Sequence, residues 1–190
     1  MQASGTTAQT DNLERLIDEL RRRVSPEELD AVAALLWRAY ATTPSDELVE
    51  IPAESLVAPI VALWRMGQQR RPGETLVRVY NPQLQRDGWA SSHTAIDIVN
   101  DDMPFLLATA TAEVGRQGRR LHVVLHPVVG VERDEAGGLR RLVQPRQGGA
   151  TESWMHLEID RETLGEAGLT DLQARLTHVL GQVRVAVEDW

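Results

Sequence analysis

Residues 92–106 read SHTAIDIVNDDMPFL, and this stretch carries two structural signals in succession. Its first part alternates, so that Thr94, Ile96 and Ile98 share one face of a predicted strand. Pro104 suits the first position of a helix, which we expect to run to about Gln117. The stretch therefore predicts a strand joined to a helix by a short loop.

The segments downstream of this unit are typical of further strands and a second helix. A β-rich run from Leu121 to Glu132 precedes a hairpin loop at 134–138 and a strand at 139–143. Residues 152–160 alternate cleanly, and a last helix is predicted from Thr170. The order β-α-β-β-α is that of a ferredoxin-like, or ACT-like, unit that lacks its last strand.

The segments upstream complete the predicted fold. A strand from Thr75 to Asn81 lies one short loop before residue 92, and it is placed to fill the edge beside the first strand. Helical patterns precede it, among them one with a Ser25/Glu28 capping box and one across 52–69. We predict an α+β fold: a helical segment at 1–73, then an ACT-like domain at 74–190 with a mostly antiparallel sheet and helices on one face.

Composition excludes several kinds of chemistry. The 190 residues include no cysteine, which rules out disulfides, zinc–thiolate sites and thiol nucleophiles. All 20 basic residues are Arg, so this chain offers no lysine for a Schiff base or a phosphate loop. With a net charge of −8 and no basic, apolar leader, we expect a cytoplasmic protein that binds neither nucleic acid nor membrane. We interpret Arg21–Arg23 as a solvated helix end.

Two groups of residues are candidate sites, each with a plainer alternative. His122, His126 and His156 would form a metal site if they converged, but local hydrogen bonding is the favoured interpretation. The Asp101 and Asp102 carboxylates would hold a ligand's ammonium group or, as we favour, cap the following helix. Neither these carboxylates nor Glu158 and Asp160 stand near a predicted nucleophile, so we predict no catalytic, cofactor-binding or metal residues in this chain.

Three strings in the right order carry a family resemblance. Residues 92–106, LHVVLHPVV at 121–129 and ESWMHLEI at 152–159 resemble the first ACT-type region of the large NAD-specific glutamate dehydrogenases. The string VRVYNP at 77–82 fits the same segment. The resemblance covers most of the chain, from about the second predicted helix onward.

The resemblance implies that this chain is the N-terminal, non-catalytic part of a long, homo-oligomeric enzyme. That enzyme would convert L-glutamate and NAD to 2-oxoglutarate, ammonium and NADH, with the NAD site in another domain. Partners would be other domains and subunits of the same enzyme. The hypotheses are a regulatory or assembly region, a pure oligomerisation scaffold without a ligand, and, ranked last, a free-standing His-metal enzyme.

ACT domains often bind amino acids at the loop after their first strand, and the resemblance implies a candidate effector loop here. Its residues are Asn100, Asp101, Asp102, Met103, Pro104 and Phe105. Asn100, Asp102 and Pro104 match the family pattern Asn-x-Asp-x-Pro-Gly, but Phe105 stands where that pattern has Gly. Gly allows a ligand to approach the backbone closely, so Phe105 favours the scaffold hypothesis.

Overall fold

Six strands and seven helices make up the part of the chain that the computed structural model describes, residues 13–146 and 149–188. The helices are α1 (from residue 13 to 21), α2 (Leu29–Ala39), α3 (Ser45–Glu50), α4 (Ala53–Gly67), α5 (Leu84–Asp87), α6 (Leu106–Arg116) and α7 (Gly165–Glu188). The strands are β1 (Leu76–Tyr80), β2 (Thr94–Asp101), β3 (Leu121–Leu125), β4 (Val128–Arg133), β5 (Leu139–Val143) and β6 (Ala150–Ile159). None of the described helices is both long and apolar enough to cross a membrane.

All six strands form one antiparallel sheet in the order β1-β2-β6-β4-β5, with β3 also paired to β6. The longest pairing joins β2 to β6, from Thr94 opposite Ile159 to Asp101 opposite Glu152. β1 pairs with β2 on the side away from β6. It therefore occupies the sheet edge beside the first strand of the ACT-like unit, as predicted. The predicted α+β, ACT-like sheet is therefore confirmed.

The β-rich run at 121–133 is two strands rather than one. Pro127 interrupts it because proline has no N–H to donate to a neighbouring strand. The Pro127 carbonyl instead accepts a hydrogen bond from the Trp154 N–H at 3.0 Å. β3 and β4 consequently pair with opposite halves of β6.

Helices cover both faces of the sheet. The helices of the ACT-like unit, α6 and α7, cover one face, where Ile96, Ile98 and Met155 are buried against them. The N-terminal helices cover the opposite face, where Val99 and Trp154 join a second buried cluster with residues of α1, α2 and α4. This cluster contains residues from both predicted segments. The division of the chain into two domains at residue 73 stays a prediction.

The contact between α4 and β6 is the tightest fit in this second cluster. Trp154 is fully buried, and its ring lies 6.4 Å from that of Trp64 on α4. Gly67, the last residue of α4, faces the Trp154 ring so closely that even a Cβ atom would overlap it. The helix can approach the Trp154 ring this closely because the residue has no side chain.

Several helix boundaries differ from the predictions. α7 begins at Gly165, five residues before Thr170 (170 − 165), and the short helices α3 and α5 were not predicted. The Ser25/Glu28 box forms in part: the Ser25 N–H donates to Glu28 at 3.1 Å, but α2 starts only at Leu29.

Candidate functional site

The candidate effector loop is shorter than predicted because β2 continues through its first two residues. Asn100 is fully buried, and its side-chain oxygen accepts hydrogen bonds from Thr75 (3.1 Å) and Arg184 (2.7 Å). Asp101 forms ion pairs with Arg70 at 2.7 Å and with Arg184 at 2.8 Å. Partial burial would raise the pKa of Asp101, but the two guanidinium groups lower it below its ordinary value. Both side chains therefore serve contacts within the chain.

Asp102 is the first residue of the loop proper. Its carboxylate accepts a hydrogen bond from the Ser153 hydroxyl at 2.6 Å, and the Ser153 hydroxyl lies 3.1 Å from the His126 ring. Burial lowers the pKa of His126, although the charge of Asp102 opposes this shift. Met103 packs partly buried against the core beneath α6 and α7. The loop is thus fixed at its start by a polar contact and an apolar one.

The start of α6 contradicts the capping prediction. The N-cap residue is Phe105, not Asp101 or Asp102, and no side chain caps this helix end. Phe105 has a φ of 70°, the left-handed conformation that glycine adopts freely and a bulky residue adopts at a cost. At the position where the family pattern has Gly, this chain therefore has a backbone shape that suits Gly, together with a large side chain.

Phe105 stands at the mouth of an apolar groove. The groove has a volume of about 430 Å³ and lies between the loop and the C-terminal part of α7, with Pro104, Phe105, Val183, Ala186 and Val187 as its lining. Phe105 is 72% exposed, far more than the core aromatic residues. The free N–H groups at a helix start bind anions, and an apolar groove binds apolar side chains. The uncapped start of α6 and the apolar groove therefore lie side by side at Pro104 and Phe105.

The three histidines of the metal hypothesis do not come together. His122 contacts Asp160 at 2.8 Å, His126 contacts Ser153, and the fully buried His156 contacts Asp97 at 2.6 Å. Within residues 13–146 and 149–188, no group of three or more His, Asp or Glu side chains is arranged to hold a metal ion. The local hydrogen-bonding interpretation fits all three residues.

His156 belongs to a buried polar group that lies under the N-terminal helices. Burial alone would lower the pKa of His156, but hydrogen bonds and charges from Asp97 and Glu158 raise it to about 9. Glu158, with a pKa lowered to about 2 despite its own burial, also contacts His93 and Ser91. His93 in turn stacks on His122 with ring centroids 4.1 Å apart.

Sequence reasoning missed a second buried ionic cluster altogether. Glu152 on β6 accepts hydrogen bonds from Arg70 at 2.8 Å, from two nitrogens of Arg133 at 2.8 Å, and from the Trp154 indole at 2.8 Å. The side chains of Arg70 and Glu152 are each 1% exposed. Burial would raise the pKa of Glu152, but Arg133, Trp154 and Arg70 together lower it. The one available signal was a charged residue at an inward position of an alternating strand.

Comparison with known proteins is consistent with this architecture. The family model for the glutamate dehydrogenase ACT1 domain matches residues 35–176. The NAD-specific glutamate dehydrogenase of Halomonas elongata is 32% identical over 186 residues, which is 96% of this chain and 12% of that protein. The enzyme of the same name from Pseudomonas aeruginosa is 32% identical over 175 residues, 90% of this chain and 11% of that protein. The chain therefore spans only about an eighth of these relatives, and it belongs to the glutamate dehydrogenase ACT1 domain family.

Proposed function

We propose that this chain is the N-terminal, non-catalytic regulatory and assembly region of a cytoplasmic, homo-oligomeric NAD-specific glutamate dehydrogenase. The complete enzyme would oxidise L-glutamate with NAD to 2-oxoglutarate, ammonium and NADH. The relatives that carry this name are about eight times longer than the matched segment, which leaves ample chain for a dehydrogenase domain. The absence of lysine and of a dinucleotide fingerprint supports a location of NAD and of the chemistry outside this chain.

One observation carries the assembly role: Phe105 is strained and exposed at the same time. A non-glycine residue in the left-handed region costs about 1–3 kcal/mol, and the surrounding structure must hold it there. Its ring gains little burial in return, since it is 72% exposed. Strain of this kind is concentrated at binding surfaces. A further domain or subunit of the same enzyme that packed into the groove of Pro104 and Val187 would bury the ring.

The regulatory role would use the same loop. An amino-acid effector would place its carboxylate on the uncapped N–H groups at the start of α6, its ammonium group beside Asp102, and its side chain on Phe105. Asn100 and Asp101 would support the loop from behind, because Arg70, Thr75 and Arg184 already occupy them. The alternative is a scaffold in which Phe105 packs against a neighbour and no effector binds.

Introducing a negative charge at the groove in the complete enzyme tests the assembly role. We expect Phe105→Asp to weaken oligomer formation, measured as mass by light scattering across a dilution series. Leu164→Asp is the matched control, because Leu164 is 76% exposed and does not line the groove. Glutamate oxidation per assembled particle should stay unchanged in both variants. An oligomer that resists dilution equally well with Phe105→Asp would contradict the assembly role.

A thermal-shift screen of this chain against the L-amino acids tests the regulatory role. A ligand that binds only the folded state stabilises it by about 2.7 kcal/mol at a hundredfold excess over Kd. We expect Asp102→Asn to abolish the shift and Asp171→Asn, an exposed change on α7, to preserve it. A shift that survives Asp102→Asn would place the effector elsewhere. No shift with any amino acid, here and in the complete enzyme, would favour the scaffold.

A further inference from the structure

A second cavity lies on the opposite side of the molecule, between the end of α1 and the outer face of α4. Its volume is about 420 Å³, and its polar lining consists of Glu19, Arg22, Arg23, Arg65 and Asp87, with Trp89 at the wall. The run Arg21–Arg23 thus does more than end a helix. Arg21 turns away to Asp18, whereas the next two arginines line the cavity.

Two of these arginines are held in place by one carboxylate. Arg22 donates to one oxygen of Glu19 at 3.0 Å, and Arg23 donates to the other at 2.5 Å. Arg23 also donates to the Gly88 carbonyl at 3.0 Å. Glu19 is nearly buried at 9% exposure, so it fixes both guanidinium groups at the rim of the cavity.

The third arginine has no carboxylate of its own. Arg65 donates a hydrogen bond to the Arg23 carbonyl at 3.4 Å, and in the described ranges it forms no ion pair. Its charge makes only a minor contribution to the lowered pKa of Glu28, after the hydrogen bonds from Trp64 and Ser25. A guanidinium group therefore remains available at the cavity.

Asp87 does not offset this positive charge. Arg78 at 2.5 Å and Arg86 at 3.0 Å both pair with it, and its side chain is 2% exposed. Burial would raise the pKa of Asp87, but hydrogen bonds from Arg86, Gln83 and Arg78 keep it below its ordinary value. Arg78 and Arg86 therefore already balance the negative charge of Asp87.

Charge counting then identifies the class of ligand. Arg22, Arg23 and Arg65 set three positive charges against the single negative charge of Glu19, a surplus of two (3 − 1) in a chain of net charge −8. We propose that this cavity binds a small dianion, either a phosphate group or a dicarboxylate. Guanidinium groups match the geometry of both, and the volume suits a small molecule rather than a single buried ion.

Isothermal titration of the chain at low ionic strength tests this site, with inorganic phosphate, glycerol 3-phosphate and succinate as probes. We expect saturable binding of at least one probe and a loss of about tenfold in affinity for Arg22→Gln and for Arg65→Gln. Both side chains are exposed, so the variants should fold normally. Arg21→Gln is the matched control: it removes the same charge one residue away, outside the cavity, and should leave the affinity unchanged.

The probes separate the two ligand sources. Binding of the phosphates alone would assign a phosphate site, and binding of succinate alone a dicarboxylate site. No saturable binding of any probe would overturn the proposal. So would an equal loss for Arg21→Gln, because the effect would then be general charge attraction. These results are independent of the groove at Phe105, so they do not bear on the proposed regulatory and assembly function.

Discussion

Replacing Gly67 by Ala measures how tightly the N-terminal helices fit the sheet. The new Cβ atom would lie 2.2 Å, 2.5 Å and 2.7 Å from three atoms of the Trp154 ring. Real Cβ contacts are not found at such distances, so something must move. The ring cannot shift freely, because its indole N–H donates to the buried Glu152 at 2.8 Å. The substitution therefore forces apart α4 and β6.

The expected loss follows from two opposing effects. Overpacking of a core costs about 1–3 kcal/mol. Ala is favoured over Gly within a helix by about 1 kcal/mol, and this gain shrinks at a helix end such as position 67. We expect a net loss of about 2 kcal/mol, which lowers Tm by roughly 4–8 °C for a chain of this size.

Urea unfolding followed by circular dichroism measures this loss, with Gly115→Ala and Gly181→Ala as matched controls. Both control glycines lie in helices, and a Cβ atom at either would meet nothing within 4 Å. The controls should be stabilised by about 0.5–1 kcal/mol. If Gly67→Ala proves as stable as the controls, the close seating of α4 on Trp154 is wrong.

Three further predictions concern the buried charges and the loop. Glu152→Gln should lower the free energy of unfolding by about 3 kcal/mol, because it leaves two buried guanidinium groups with too little negative charge; Glu132→Gln, at an exposed pair, is the control. The raised pKa of His156 stabilises the fold fully below pH 6.5, and this stability should be lost as pH rises to about 9, by about 3 kcal/mol in urea titrations at each pH. Phe105→Gly should be about 1 kcal/mol more stable to urea than Phe105→Ala, since both remove the ring but only Gly relieves the left-handed strain.

Each of these predictions has an outcome that contradicts it. Equal losses of unfolding free energy in Glu152→Gln and Glu132→Gln would mean that the Glu152 cluster stabilises the fold no more than a surface ion pair. Stability that stays level from pH 6.5 to 9, or that keeps its slope in a His156→Asn variant, would exclude His156 as the titrating group. Equal stability of the Gly and Ala variants at position 105 would show that this backbone is unstrained.

Much of the fold and little of the site chemistry could be predicted from the sequence. Strands β1, β2 and β6 were predicted within two residues, because their alternation is a local signal. The break between β3 and β4 follows from Pro127. Only the structure shows that both strands then pair with the same neighbour, β6. The prediction that Asp101 caps α6 was wrong because Asp101 forms ion pairs with Arg70 and Arg184, which are distant in sequence.

The sequence by itself determined the family, the order of the main strands and helices, and the chemistry that this chain lacks. These properties depend on residue identity and on spacing within one element. Only the tertiary structure decided which charges meet: Arg70 reaches Glu152 across 82 residues, and His156 reaches Asp97 across 59. It also decided that Phe105 is exposed while Arg22, Arg23 and Arg65 share a cavity. Such contacts join distant segments, and the free energy that selects them comes from the packing of the whole sheet between its two layers of helices.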